Sequence, residues 1–457
     1  MITDVELPVE ERLSQLLRHL GIAPAHFAAR GVGDWGGLAA RHPDCIASLT
    51  LICPRGMDPG TLSTLAPRLL VLAGDQGQPD ALVRQVVGNL QEATLIVLRD
   101  YVSPTIYADV VADCTADIGA AMLDFLARMD QAHGARIVAL PEGEGEVAGI
   151  SYRIRGSGPP LVLLPLGVAA SQWEPLVPRL TERWCTITLG GAYLGMIGSL
   201  EARGRTAGYL GVVRHLIQEA ELRPGESVLE VGCGTGVLDR WLARHTGGAN
   251  RIVGLDISRY LLREAMALAR QEGLEGVIEF REGRAEALPF PDSSFDVAMS
   301  STVIQRVEAD RMLREMVRVI KPGGRVAVVG HAHDMPRWVN LALPAALKTR
   351  IEAPGWASDR GHPLGCDDAS LYRRLRQAGL AQVKMFPQLA AFDGRSRLQS
   401  LQGDILPALT PDAVQEWRTA VAQAEAEGTF FIATPFHCAV GTKPLDTCTD
   451  TPYSTAE

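Results

Sequence analysis

The chain lacks several features that would have settled its class at once. No apolar run approaches the roughly 20 residues of a membrane-crossing helix, so no membrane partner is expected. Eight cysteines, at 45, 53, 114, 185, 233, 366, 438 and 448, are scattered without a Cys-x-x-Cys pair. That pattern offers no zinc framework and fits a reducing cytoplasm. Positive charge is not in excess: 44 Lys and Arg stand against 53 Asp and Glu, for a net −9, which argues against a general nucleic-acid binder. The opening MITDVELPVEERL is acidic and polar, unlike a secretory signal. No repeat of fixed period runs through the chain. What remains is a cytoplasmic, globular profile, 47% hydrophobic over 457 residues, too long for one ordinary core. Two or three domains are expected, and association with a second copy stays open.

Short apolar runs alternate with helical patterns along the whole length. Residues 8–20 read as an amphipathic helix; HFAARGV, SLTLICP, RLLVLAG and ATLIVLR read as strands, and ADIGAAMLDFLARMD as a helix. Such alternation predicts a parallel sheet with helices on its faces. Residues 133–149 are rich in Gly and Glu and read as a linker or a hairpin. A further strand–turn–helix unit begins near residue 150 and ends on the strand WCTITL. From about 199 a longer alternating series continues to about 443, and 444–457 reads as a disordered polar tail.

GVGDWGGLAARHPD, residues 31–44, resembles the nucleophile elbow of an α/β-hydrolase, with Asp34 at the exposed position. On that resemblance residues 1–132 correspond to the half from elbow to final helix, and 150–198 to the half that normally precedes it, so the order is permuted. A working enzyme of this kind needs a nucleophile, a histidine and an orienting acid. The acid's place carries Gly77, with Asp75 two residues earlier; VLRDYVSPT has no histidine; Leu166 replaces the histidine of the oxyanion loop. The expectation is a hydrolase-like scaffold that is catalytically silent. An active hydrolase using Asp34 is the lesser alternative.

The chemistry lies further along. ESVLEVGCGTGVLDRWLARH, residues 226–245, reads as a buried strand, a glycine turn and a helix. Gly232, Gly234 and Gly236 free the backbone to turn tightly and admit a ligand. The next strand, RIVGLD, ends on Asp256, where a carboxylate suits a ribose diol. A dinucleotide and a nucleoside-type cofactor both use this geometry. Dinucleotide sites want G-x-G-x-x-G, whereas Val237 stands at the third glycine's place. Glu230, just before the turn, would repel a pyrophosphate and suit an amine.

VLEVGCGTG, VGLDIS, EGRAEALPFPDSSFDVAMS and EMVRVIKPGGRVAVV, in this order, resemble the motifs of class I S-adenosyl-L-methionine (SAM)-dependent methyltransferases, in the group of the ubiquinone/menaquinone C-methyltransferases (methyltransferase type 11). The resemblance covers about residues 200–442 and implies a Rossmann-like seven-stranded domain, here preceded by the α/β-hydrolase-like one. It implies that Glu230 and the turn Gly232, Cys233, Gly234, Thr235 and Gly236 hold the methionine end of SAM. Asp256 would hold the ribose, with Ile257 against the adenine and Ala285 and Glu286 at its edge. Ser300 would meet the amino-acid end, and Arg205 and Tyr209 would close over the cofactor. The family's aspartate before Ala285 is replaced by Arg284, which cannot accept a hydrogen bond.

A small-molecule acceptor would sit at the strand ends beside the cofactor. His331, His333 and Asp334 are the nearest candidates for a base, needed only if the acceptor must lose a proton. Insertions 341–366 and 393–428 are long enough to form a lid. ITLGGAYLGMIGSLEARGRTAGYL carries Leu, Met and Ile through the join between the two parts, so the join is expected to pack rather than swing. The leading reading is a small-molecule methyltransferase with a silent appendage. The alternative is a regulatory protein that binds SAM or another small ligand without turnover, which Arg284 and the missing triad favour.

Overall fold

The first strand, β1 (Ala25–Ala29), lies in the middle of its sheet and is buried at every position. The structure is a computed structural model and describes residues 7–31, 36–54, 57–103, 110–191, 193–355, 361–393, 398, 401–402 and 405–445. Asp34 lies outside the described residues. Two units divide the chain, Met1–Glu201 and Ala202–Glu457.

In the first unit β2 (Ile46–Ile52), β3 (Leu69–Gln76) and β4 (Thr94–Val102) extend the sheet from one side of β1, all parallel. On the other side come β5 (Gly143–Val147), β6 (Ile150–Arg155), β7 (Pro160–Leu163) and β8 (Cys185–Gly190), in the order β4-β3-β2-β1-β7-β8-β6-β5. β7 and β8 continue the parallel set; β6 runs antiparallel to β8, and β5 antiparallel to β6. The stretch 133–149 therefore contains a strand, and the hairpin reading describes it. Val147 pairs with Ile150 across a turn whose Ala148 and Gly149 have φ of 53° and 77°. Burial of Ile150 in the core fixes the hairpin's register.

Helices cover both faces of this sheet. Val9–Leu20 buries Leu13, Leu16 and Leu17 in one core with Phe27 and Leu49. Thr115–His133 buries Met122, Phe125 and Leu126 in the other, with Trp173 and Trp184. His26, near the start of β1, is buried, with Nδ1 2.7 Å from Ser48 Oγ and Nε2 3.1 Å from Asp130 Oδ1. Trp184 Nε1 donates to the second Asp130 oxygen at 3.0 Å. This histidine is committed to pinning two strands to a helix, near the amino end of β1.

The second unit holds β9 (Ser227–Val231), β10 (Arg251–Asp256), β11 (Ile278–Glu282), β12 (Phe295–Ser301), β13 (Ile320–His331), β14 (Trp338–Val339), β15 (Ala381–Phe392) and β16 (Ile432–Thr442). The order is β11-β10-β9-β12-β13-β16, with β15 on the far side of β16. β9 to β13 are parallel; β16 is antiparallel to β13, β14 and β15. The seven expected strands are present as the long ones, and the two-residue β14 on β16 makes eight among the described residues. This is the Rossmann-like arrangement of the class I methyltransferases. From β9 the chain winds outward through β10 and β11, then returns to β12 on β9's other side. That reversal places the switch point, and with it the ligand crevice, at the carboxyl ends of β9 and β12.

β13 and β15 end, and β16 begins, at this same edge, since His331 pairs with Phe436 and Phe392 with Ile432. Both insertions leave the sheet there. Among the described residues only Cys366, at the end of the first, joins a core on a face of the sheet. Leu341, Leu347 and Ile351 pack with Leu401, Ile405 and Trp417 in a small core of their own, anchored by Val339 and Ile432.

Candidate functional site

β9 reads Ser-Val-Leu-Glu-Val, and every position after the first is buried. Apolar residues at all four buried positions would suit a central parallel strand; Glu230 is the exception, 2% exposed. Its Oε2 has no hydrogen-bond partner. Burial, then the nearby charges of Asp239 and Asp256, hold its carboxyl well above the usual carboxylate range, with Arg203 opposing. Such an orphaned acid is costly unless something cationic meets it.

The turn that follows requires glycine. Gly232, Gly234 and Gly236 have φ of 80°, 57° and 68°, and a Cβ on Gly232 would collide with Val303. Backbone N–H groups of Gly232 and Cys233 donate to Leu255 O at 2.7 and 2.9 Å. Gly236 begins the helix Val237–His245 without a side-chain cap. Thr235 is fully buried, and its carbonyl accepts from Arg240 Nη1 at 2.7 Å. Burial pushes the Cys233 thiol up, so it stays protonated in the turn.

Asp256 closes β10 and binds the turn to the next helix. Its Oδ2 accepts from Gly234 N and its Oδ1 from Ser258 N, both at 2.8 Å. Ser258 then caps Arg259–Gln271 by accepting from Leu261 N. Burial raises the Asp256 carboxyl, partly offset by these backbone donors. A carboxylate has about four acceptor directions, so these backbone donors do not exhaust it. Ile257 beside it is 50% exposed, an apolar side chain left on the surface.

Beyond β11, Ala285 is buried and Glu286 sits 3.9 Å from the exposed Arg284. Ser300 is fully buried and donates to Val231 O at 2.8 Å, so its hydroxyl is used within the sheet. Tyr209, 1% exposed, meets Ser301 Oγ at 2.6 Å and packs against Phe392 and Phe436. Arg205 is exposed. The arginine that reaches the site is Arg203, which donates to Thr302 Oγ1 at 2.7 Å, lies over the Tyr209 ring and acts on Glu230.

A profile described as "Methyltransferase domain" matches residues 229–328, the span from Glu230 through β13. The ubiquinone/menaquinone biosynthesis C-methyltransferase UbiE of Hahella chejuensis is 33% identical over 187 residues, 38% of this chain and 74% of that protein. The chain belongs to this methyltransferase family. Methyltransferase GfsG of Streptomyces halstedii is 38% identical over 118 residues, 26% of this chain and 42% of its own length. A solved SAM-dependent methyltransferase from Aquifex aeolicus aligns with 49% of this chain and 88% of its own, at 16% identity and a TM-score of 0.30. The cofactor of the family is SAM. The residues of this methyltransferase suit it: the orphaned Glu230 oxygen suits an ammonium, Asp256 a ribose, and Ile257 a purine face.

At the end of β13 the methyltransferase brings five titratable side chains together. His331 stacks on His333 with ring centres 5.7 Å apart, and on Phe436 at 5.2 Å. His333 Nδ1 lies 2.8 Å from Asp367 Oδ2. Asp334 accepts from His437 Nε2 at 2.6 Å. His437 is buried on β16, with Nδ1 lacking a partner. The sequence points to the loop residues His331, His333 and Asp334 and not to His437. The pairing with Asp334 crosses 103 residues and has no local signal. Among the described residues no group of His, Cys, Asp and Glu is placed to hold a metal. No helix of the described chain is long and apolar enough to cross a membrane.

Proposed function

We propose that the chain transfers a methyl group from SAM to a small-molecule acceptor held between the carboxyl ends of β12 and β13 and the core formed by the two insertions. The observation that carries this is the buried Glu230, with an unpartnered Oε2, set just before three left-handed glycines and close enough to Asp256 to feel its charge. Bound SAM supplies a methyl group on a cationic sulfur, open to in-line displacement by a nucleophilic acceptor. In this reading Glu230 and the turn Gly232–Gly236 bind the methionine end, and Asp256 binds the ribose. Ile257, Ala285 and Glu286 receive the adenine. Tyr209, with Arg203 rather than Arg205 at its side, closes the cofactor end; Ser300 contributes by setting the end of β12. Positioning supplies most of the rate in such a transfer. His331 and His333 stand where a proton would leave an acceptor that must lose one.

We further propose that residues 199–443 form the methyltransferase domain, and that 1–132 with 150–198 form a permuted hydrolase-like scaffold without hydrolytic chemistry. The sheet order supports the permutation, because the half coming later in the chain, β5 to β8, joins the earlier half through β7 on β1. The silent reading is supported at the acid's place. Gly77 has φ 86°, and both Asp75 oxygens accept backbone N–H groups, from Asp100 and Tyr101.

One observation favours binding without turnover: Arg284, 65% exposed, stands where the family accepts the adenine amino group. Calorimetric titration of the full chain with SAM and with NAD, followed by methyl transfer from labelled SAM to a panel of small acceptors, separates the readings. NAD binding without SAM binding defeats the methyltransferase assignment. SAM binding with no transfer to any acceptor class leaves the regulatory reading.

A further inference from the structure

The cofactor site carries one more carboxyl group than a single ammonium requires. Asp239 lies in the first turn of Val237–His245 and is 1% exposed. Neither of its oxygens has a hydrogen-bond donor. The carboxyl fills the room left by the missing side chain of Gly254, where a Cβ would collide with Oδ2. Gly254 is the register partner of Glu230 across β9 and β10, so the two acids meet over one point of the sheet, within hydrogen-bonding reach.

The surroundings do not neutralise both. Arg203, from the preceding helix, acts on Glu230 but spends a guanidinium N–H on Thr302. Arg240 acts on Asp239 and binds Glu272 and the Thr235 carbonyl. Asp256, at the end of β10, adds a second negative charge, and the Cys233 thiol in the turn stays neutral. Two ionised acids in contact here would leave three buried oxygens without a donor. A single proton between them removes one charge and supplies an O–H to bridge the pair.

We propose that Asp239 makes Glu230 keep one proton in the ligand-free chain, that the α-ammonium of SAM expels it to solvent, and that the pair thereby selects ligands bearing an amino-acid ammonium. This rests on the reading that Glu230 faces the methionine end. The arriving ammonium brings its own charge and donors, so both acids ionise together once it is bound. A nucleoside thioether without the amino acid leaves the proton in place.

The test is calorimetry on the full chain with SAM and with 5′-methylthioadenosine, in two buffers of different ionisation enthalpy near about pH 6.5. About one proton is released per SAM and none per methylthioadenosine, and SAM affinity rises about tenfold per pH unit below the pair's midpoint. In Asp239→Asn the release falls to near zero and the affinity goes flat with pH. Should that variant not fold, the comparison of the two ligands on the native chain decides alone. SAM binding with no proton release, equal release with both ligands, or undiminished release in Asp239→Asn overturns the proposal and leaves the methyltransferase assignment intact. A native chain that binds no SAM overturns both.

Discussion

His437 and Asp334 form a pair across the edge of the second sheet, with Nε2 donating to Oδ1 at 2.6 Å while Oδ2 accepts from Ala369 N at 2.9 Å. One carboxylate thereby holds the loop after β13 to β16 and to the segment before Leu371–Gln377. Asp334→Ala removes both bonds and leaves a buried imidazole nitrogen without an acceptor. The expected loss is about 1–3 kcal/mol of stability, read as a shift in the urea midpoint at constant slope. A midpoint equal to the native one would mean that the loop is held by other contacts.

Asp256 does two things at once, so its replacement has two readouts. Asp256→Ala frees the backbone N–H groups of Gly234 and Ser258 and removes the acceptor proposed for the ribose diol. SAM binding is expected to weaken by about 1.5–3 kcal/mol, the scale of bonds to a charged acceptor. The melting temperature should fall as well, since the glycine turn loses its tie to the next helix. Undiminished SAM affinity in the folded variant would place the ribose elsewhere.

Stability should fall as pH rises through the mildly acid and neutral range. Burial pushes Asp239 up to about 7 and raises its partner Glu230 too. An unfolded carboxylate gives up its proton near about pH 4, whereas the folded pair still holds one, so the native state binds more protons between these limits. Urea melts of the ligand-free chain at several pH values check this by difference. The native chain should lose more stability than Asp239→Asn between mildly acid and neutral pH; parallel curves would show that the pair does not titrate there.

Asp34 should support no turnover. With Gly77 at the acid's place, no histidine in VLRDYVSPT, and His26 tied to Ser48 and Asp130, the acid and the base are both missing from their places in the resemblance. Ester, alkyl halide and epoxide substrates should give equal background rates with the native chain and with Asp34→Asn. A rate lost in the variant would identify a working nucleophile.

The parts of the site that could be read from sequence are those with short-range signals. A buried strand, three glycines and a helix announce one corner, and a strand ending in Asp256 announces the next. Arg203 was passed over for Arg205, two residues on, because which of two nearby arginines faces the site depends on the helix's rotation against β12. Asp239 looked like an ordinary acidic residue in a helix's first turn. Its burial comes from Gly254 on a neighbouring strand, a relation that no local window contains. The hairpin of β5 and β6 was legible only as one of two readings: its first strand is polar and rich in glycine, and Ile150 and Ile154 in the core fix its place.

The two insertions bury their apolar residues chiefly against each other, around Trp417, and touch the sheet through Val339 and Ile432. Such an arrangement makes them a replaceable module. With the acceptor site proposed above, a lineage or an engineer would vary both together to change which acceptor is admitted, leaving the glycine turn and the cores on the faces of the sheet as they are. Exchanging one insertion without the other would strand half a core in water. Acceptor preference in this protein should therefore pass between relatives as a matched pair of segments, rather than one residue at a time.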